Sequence, residues 1–294
     1  MKKIKFLVLG TFALLIGSCE KEEAYPLETV DYKSQKSLRP HYGPIFAKDT
    51  VSLKMGKLID EDLMGKFAGN KMVVLGDKIW SVGGYQNGVS FPNQSSEVWV
   101  SSNGSNWQLA TSGQFDSRVG HSLTVFDGKM WLIGGTDTSN SKLSDVWFSP
   151  NGFDWKLAPD IPAFGKIAAH STVVFQNKLL VFTENEVWQS SDGIDWELLS
   201  EDIFPARFYT ELTVFNDKLY LIGGETGTGT FYNEIWQSDN GSDWSQVQPT
   251  SPIFNGISRF SASIYEKDVG LSAVVGQRVM EEVMQVTKCG TAPI

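Results

Sequence analysis

The sequence predicts an all-β protein with the architecture of a β-propeller. A motif of two tryptophans eight residues apart, preceded by a glycine-rich hairpin, occurs four times along the chain. The first tryptophans of the four copies are Trp99, Trp147, Trp188 and Trp236, which are 48, 41 and 48 residues apart. A period of this length is typical of repeat proteins, in which each unit buries its apolar faces against its neighbours.

Each copy of the motif predicts a four-stranded antiparallel meander. In the second copy, residues 122–126 and 130–133 predict two strands joined by a turn at Asp127-Gly128. Residues 145–149 predict a third strand, and Asn151-Gly152 supplies the turn before the fourth. Four strands in about 40 to 50 residues are typical of one propeller blade.

The glycine pattern adds a family resemblance. A Gly-Gly pair closes the second strand in three copies, at Gly83-Gly84, Gly134-Gly135 and Gly223-Gly224. With the spaced aromatic pair that follows, this pattern resembles the kelch family of β-propellers, which includes the central domain of galactose oxidase. The third copy departs from it: Thr183-Glu184 replaces the glycines, and Trp188 follows after almost no loop. We therefore expect one blade with a trimmed loop.

The number of blades depends on both ends of the repeat region. Residues 260–265 and 271–275 predict an inner hairpin of a fifth copy, and residues 282–286 predict its third strand, but no tryptophan pair follows. Residues 49–55 precede the first copy where a fourth strand would lie. We expect five four-stranded blades within residues 45–294, closed by this N-terminal strand. Six blades are the alternative if residues 25–66 form more than one strand.

The N-terminus predicts export and lipidation. Three lysines precede an apolar run at 6–16 that is too short to span a bilayer, as in a signal peptide covering residues 1–18. The residues 16–19, Ile-Gly-Ser-Cys, resemble a bacterial lipobox, which implies a diacylglycerol on Cys19; an ordinary signal peptide is the alternative. Residues 20–23 resemble a surface-export signal, and residues 19–44 suit a flexible tether. We expect an outer-membrane lipoprotein exposed at the cell surface and held to the membrane by its lipid.

Charge and composition limit the function. Loss of three lysines with residues 1–18 changes the formal charge from −9 to −12, which disfavours nucleic acid as a partner. The copper site of galactose oxidase needs histidines, a tyrosine and a second tyrosine that is bonded to a cysteine. This chain has only three histidines, and its one cysteine besides Cys19 is Cys289 in the terminal segment. A copper oxidase is therefore excluded. No metal spacing or phosphate-binding loop is present. We expect no cofactor and no metal.

The loops between copies contain the candidate ligand-binding residues. Phenylalanines lie six residues before each inner strand, at Phe115, Phe164, Phe204 and Phe254, and basic residues follow at Arg118, Lys166, Arg207 and Arg259. His121 and His170 begin two inner strands. In a propeller these positions share one face around the channel mouth, where they would form an aromatic and basic ring. Alternatively, the phenylalanines plug blade interfaces, the arginines bind carbonyls between blades, and the histidines bond within the inner strands.

The resulting prediction is a non-catalytic binding module for a glycan or a protein. The alternative is a carbohydrate-active enzyme, such as a kelch-type sialic acid epimerase or a glycosidase. Such an enzyme needs acid and base groups that converge in a mouth pocket, and only Glu211 and Glu225 are candidates. The polar turn between the two tryptophans of each copy resembles the Asp box of sialidases, but in those enzymes this turn serves folding and lies away from the active site. It is therefore no evidence for catalysis, and we assign no catalytic residue.

Replacement of Cys19 tests the anchor. Cys19→Ala is expected to block lipidation, because the thiol is the attachment atom, and to leave the protein as an uncleaved precursor or released from the outer membrane. Membrane fractionation with a labelled fatty acid measures both effects. Unchanged labelling of the variant would contradict the lipoprotein prediction.

Overall fold

The computed structural model describes residues 67–86, 93–248, 256, 258–265, 268–275 and 278–284. The predicted signal peptide, Cys19, the tether, the strand at 49–55, Phe254 and Cys289 lie outside these residues. The described chain is all-β. It contains no helix with the length and apolar character that crossing a bilayer requires.

Four four-stranded antiparallel sheets and one three-stranded sheet follow one another along the described chain. The short strands β1 (Phe67–Ala68) and β4 (Tyr85–Gln86) pair beside the first blade, which consists of β2 (Lys71–Leu75), β3 (Lys78–Val82), β5 (Val98–Ser101) and β6 (Gln108–Thr111). The second blade consists of β7 (Ser122–Phe126), β8 (Lys129–Ile133), β9 (Val146–Ser149) and β10 (Lys156–Leu157).

The third blade consists of β11 (Ser171–Phe175), β12 (Lys178–Thr183), β13 (Glu186–Ser190) and β14 (Glu197–Ser200). The fourth consists of β15 (Glu211–Phe215), β16 (Lys218–Ile222), β17 (Ile235–Ser238) and β18 (Ser245–Gln246), and the last sheet of β19 (Phe260–Tyr265), β20 (Asp268–Val275) and β21 (Arg278–Met284). The predicted third strand of the last copy begins at Arg278, four residues earlier than expected. The closing strand lies outside the described residues, so the number of blades stays a prediction.

Consecutive sheets meet through their inner strands, since β2, β7, β11, β15 and β19 contact one another in that order. In the second and third blades, apolar side chains of the second strand pack against the neighbouring sheets on both sides. Residues 130–133 and 219–222 are continuous apolar runs that are entirely buried. The fourth strands lie at the rim, and β10 and β18 are exposed.

Aromatic side chains fill the blade interfaces. The phenylalanine of each entering loop packs against the tryptophan pair of its blade: Phe115 lies 5.3 Å from Trp155, Phe164 lies 5.1 Å from Trp196, and Phe204 lies 5.3 Å from Trp236, measured between ring centroids. Apolar clusters join Trp80 of the first blade to Met130 of the second, and Trp131 of the second to Leu179 of the third. The phenylalanines therefore serve the interfaces, and these tryptophans belong to the core.

The turns between third and fourth strands also join blades. In the third blade, Ser190 Oγ accepts a hydrogen bond from the amide of Gly193 at 2.8 Å, and Asp192 Oδ1 accepts from Ile194 and Asp195. The tightened turn places Gly193, with φ +81°, directly against the Trp131 ring of the preceding blade, where a Cβ would lie 2.4 Å from the indole. Glycine is required there for both conformation and space.

Replacement of Gly193 tests the importance of this contact. Gly193→Ala is expected to lower the free energy of unfolding by about 2–5 kcal/mol, because it combines backbone strain with displacement of a buried indole. Gly113→Ala is the matched control, since Gly113 has φ +73° and a Cβ added there would meet no other atom within 4 Å. It should cost only the conformational strain, roughly 1–2 kcal/mol. Urea unfolding followed by tryptophan fluorescence measures both, and equal losses would contradict the proposed packing role.

Candidate ligand-binding face

One end of the propeller gathers the loops that contain the predicted site residues. We call this end the loop face; it comprises the connections between second and third strands and the connections between blades. Backbone hydrogen bonds join the two kinds of loop, from Gly135 N to Ile167 O at 2.9 Å and from Arg207 N to Glu184 O at 2.9 Å. The opposite end, the turn face, carries the hairpin turns and the polar turns before the fourth strands.

Arg118 lies on the loop face, but it is fully buried. Its Nη1 donates to the Gly134 carbonyl at 2.9 Å, and its two Nη atoms donate to the two carboxylate oxygens of Asp145 at 2.7 Å each. Burial alone would raise the pKa of Asp145, but the hydrogen bonds and charge of Arg118 lower it. The guanidinium is thus used within the second blade.

Arg207 repeats this arrangement in the fourth blade. It is 1% exposed and donates to the Gly223 carbonyl at 3.3 Å and to Glu234 at 2.9 Å. The ligand-binding interpretation of Arg118 and Arg207 therefore needs correction, because both guanidinium groups are buried and held by main-chain carbonyls and carboxylates. They match the structural alternative, although the carbonyls belong to their own blades and not to neighbouring ones.

The two histidines join neighbouring blades. His121 Nε2 donates to the Val82 carbonyl of the first blade at 3.2 Å, and His170 Nε2 lies 2.9 Å from Ser122 Oγ of the second. Both rings are buried, and no hydrogen-bond partner for either Nδ1 lies within the described residues. Burial, followed by nearby cationic charges, holds the pKa of His121 well below its ordinary value and lowers the pKa of His170 to about 3. Both are neutral at physiological pH.

Lys166 and Arg259 are exposed on the loop face. The Arg259 guanidinium lies 3.7 Å from the Tyr209 ring centroid and donates to Glu225 at 2.9 Å. Glu225 also accepts a hydrogen bond from Ser258. Glu211, the other candidate acid, lies on β15. The structure therefore brings Arg259 to Glu225 in an ion pair and leaves Lys166 in a separate part of the face.

A cavity of about 230 Å³ opens on the loop face at the third blade. We call it the third-blade cavity; its lining includes Lys142, Phe164, Lys166, His170, Glu184 and Glu186. The structure thus brings Lys166 and His170 into one site, together with three charged residues that were not predicted from the sequence. The trimmed loop was the signal that could have found them, since β12 and β13 are joined by only Glu184 and Asn185.

Both carboxylates of this cavity are already in contact with neighbours. Lys142 Nζ lies 3.2 Å from Glu184 and 5.3 Å from the Phe208 ring centroid. Glu186 Oε2 accepts hydrogen bonds from Trp188 Nε1 at 2.8 Å and from Thr183 Oγ1 at 3.3 Å. Within the described residues, no group of three His, Cys, Asp or Glu side chains is arranged to hold a metal ion. The cavity offers charged and aromatic contacts to a ligand.

Comparisons with known proteins support the fold. A family model described as the DUF6242 beta propeller domain matches residues 149–280. The solved structure of YjhT aligns with a TM-score of 0.57 at 14% sequence identity, over 70% of this chain and 72% of that one. A search of curated proteins finds no match. The predicted β-propeller fold is confirmed, and at this level of identity the structural match concerns the fold alone.

The buried histidines predict a loss of stability on acidification. An unfolded histidine has a pKa of about 6.5, whereas both folded values are lower. Below pH 6.5 the unfolded state therefore binds protons that the folded state does not. The free energy of unfolding should fall by up to about 1.4 kcal/mol per pH unit for each histidine, well before the carboxylates titrate near pH 4.

The His170→Gln variant isolates one of these protons. Its amide retains a donor for Ser122, so the slope of stability against pH should decrease by about one proton between pH 6 and 5. Above pH 7 the difference from the wild type should be constant. Urea unfolding from pH 5 to 8 measures both curves, and parallel curves over the whole range would contradict the neutral, buried state of His170.

Proposed function

We propose that this protein is a membrane-tethered interaction module of kelch type, displayed on the outer membrane through Cys19, whose loop face binds a partner protein. The observation that carries this proposal is the third-blade cavity, an opening on the loop face lined by charged and aromatic side chains. The N-terminal sequence, with its apolar run and the residues 16–19, supports the anchor.

The composition of the loop face supports a protein partner. Ile161 is 79% exposed and Phe231 is 53% exposed, both on loops of this face. The cations Lys166 and Arg259 are also exposed on this face. Apolar side chains together with arginine are typical of protein interfaces. A glycan, the other ligand class consistent with the sequence, would favour a continuous aromatic platform, whereas the described phenylalanines at 115, 164 and 204 are packed in blade interfaces.

The size of the cavity also favours a macromolecule. At about 230 Å³ it is smaller than the roughly 300–1,000 Å³ of typical small-molecule sites. It exceeds by far the roughly 10–15 Å³ that one ordered water needs. A cavity of this size suits one side chain that projects from a larger partner surface.

The contacts of the candidate acids give no support to a carbohydrate-active enzyme. Glycoside hydrolysis by the common mechanisms needs one carboxyl group as the acid and another as the base or nucleophile. Glu225 is engaged by Arg259 and Ser258, and Glu184 by Lys142. Glu186 holds the Trp188 indole in place. These contacts support binding over catalysis at the described part of the loop face.

Photocrosslinking in intact cells tests this proposal. A photoreactive amino acid at Ser139 or Phe231 samples the loop face, and the same residue at Asp154 or Asp195 samples the turn face as a matched control; all four positions are exposed. Discrete protein adducts are expected from the loop face and not from the turn face. Equal adducts from both faces, or none, would overturn the proposal. Adducts that contain glycan and no peptide would assign the face to a glycan.

A further inference from the structure

The third blade lacks an internal cation that the second and fourth blades contain. Arg118 and Arg207 each lie three residues before the start of the inner-strand segment, at His121 and Thr210. The residue at this position in the third blade is Ile167, three residues before His170. The sequence pattern groups Lys166 with the arginines, but Lys166 is one position out of register. Ile167 is buried in the interface with the second blade and carries no charge.

The two arginines occupy equivalent sites. Each guanidinium donates to the carboxylate that precedes the first tryptophan of the blade by two residues, Asp145 or Glu234. Each also lies over the phenylalanine of the entering loop, 5.4 Å from the Phe115 centroid or 4.9 Å from the Phe204 centroid. A carboxylate and an aromatic face are the groups that recognise a planar guanidinium.

The third blade retains both recognition groups. Glu186 precedes Trp188 by two residues and accepts its indole N–H at 2.8 Å, as Asp145 accepts that of Trp147 at 2.6 Å. Phe164 packs on Trp188 and Trp196, as Phe115 packs on Trp147 and Trp155. Both residues line the third-blade cavity. The third-blade cavity is therefore lined by the same two groups, a carboxylate and a phenylalanine ring, that contact a guanidinium in the second and fourth blades.

The Glu186 carboxylate has an open acceptor. Its two hydrogen bonds, from Trp188 and Thr183, both reach Oε2, and no hydrogen bond to Oε1 is formed within the described residues. In the second blade the corresponding oxygens of Asp145 are both taken by Arg118. The first blade also differs, because Gln86 Nε2 donates to Glu97 Oε1 at 3.1 Å while Trp99 donates to Oε2.

We propose that the third-blade cavity is a socket for an arginine side chain of a partner protein, which is held by the Glu186 carboxylate and the Phe164 ring. The inference rests on the proposed function, since it names the group by which the loop face would recognise its partner. The guanidinium takes the place that Arg118 and Arg207 fill in the neighbouring blades. The partner therefore completes an internal repeat in which this chain has Ile167 instead of arginine.

The other charges of the cavity define the surroundings of that arginine. Lys142 is neutralised by Glu184 at 3.2 Å, so its charge opposes a second cation only weakly. Lys166 is exposed and forms no ion pair within the described residues. A partner segment with an acidic residue beside its arginine would therefore satisfy both Glu186 and Lys166.

Titration with small guanidinium probes tests the socket directly. The probe is N-acetyl-arginine methylamide, and the corresponding citrulline compound is a neutral control of nearly the same shape. The full chain is labelled at isoleucine methyl groups, and the Ile167 signal, which lies at the cavity, is followed by NMR at millimolar probe concentrations. The arginine probe should shift this signal in a saturable manner, and the citrulline probe should not. Equal effects of both probes, or none, would overturn the proposal.

Two variants and one control locate the binding. Glu186→Gln keeps an acceptor for Trp188 and should weaken probe binding about tenfold or more, because the charge-assisted bond is lost. Ile167→Arg should also abolish binding, because it supplies the guanidinium from within the chain. Glu97→Gln, at the same repeat position of the first blade, should leave binding unchanged. Equal weakening by Glu97→Gln and Glu186→Gln would overturn the assignment.

The remaining outcomes separate this inference from the proposed function. If loop-face crosslinks to a partner persist unchanged in the Glu186→Gln variant, the interaction role stands and the socket is wrong. If the crosslinks are absent from the wild type while the probe binds at Glu186, the interaction role fails. Arg39 is the only arginine of the sequence between residues 19 and 66. Stronger probe binding in an Arg39→Ala variant would therefore assign the socket to the N-terminal segment of the same chain and overturn the partner assignment.

Discussion

The packing of each entering phenylalanine on the tryptophan pair of its blade is the contact on which the rest of the structure depends. The same phenylalanines belong to the apolar clusters that join neighbouring sheets. Phe115 and Phe204 also provide the aromatic surface under the buried guanidinium groups of Arg118 and Arg207. One repeated contact thus contributes to the blade interface and lies against the buried arginine–carboxylate pairs Arg118–Asp145 and Arg207–Glu234.

The buried arginines show how a polar group is accommodated in such an interface. A buried charge is costly unless it is paired and its donors are used. Arg118 meets this requirement with a bidentate carboxylate, the Gly134 carbonyl and the Asp116 carbonyl. Arg118, which lies just before an inner strand, is thus bonded to both ends of the loop between the second and third strands, at Gly134 and Asp145. These bonds hold that loop in position. The third blade has Ile167 in place of this arginine, and its loop between the second and third strands is the shortest of the four complete blades.

The sequence was sufficient for the repeat, the strand order and the trimmed blade, because these depend on local patterns. The spacing of Trp99, Trp147 and Trp188 reflects the length of one sheet, and Gly-Gly or Asp-Gly turns depend on backbone conformation within a few residues. The roles of Arg118 and Lys166 were less accessible. Both are basic residues at nearly the same spacing, yet one is fully buried and the other is exposed. Arg118 lies three residues before its inner-strand segment and Lys166 lies four residues before its own. This difference of one residue places the first side chain in the blade interface and the second in solvent, and it becomes evident only when the blades are packed together. The cavity was missed for a related reason, since Lys142 and Glu184 are 42 residues apart in the chain and meet only when two blades are placed side by side.

The two-residue connection between β12 and β13 makes the third blade different from the other complete blades. A propeller of identical blades presents the same surface after each step of rotation, so a partner could attach at any of several equivalent angles. Among the four complete blades described, only the third combines a shortened connection with an unmatched carboxylate. An arginine socket at that blade, as proposed, would select one of these angles and would hold a bound partner in a single orientation.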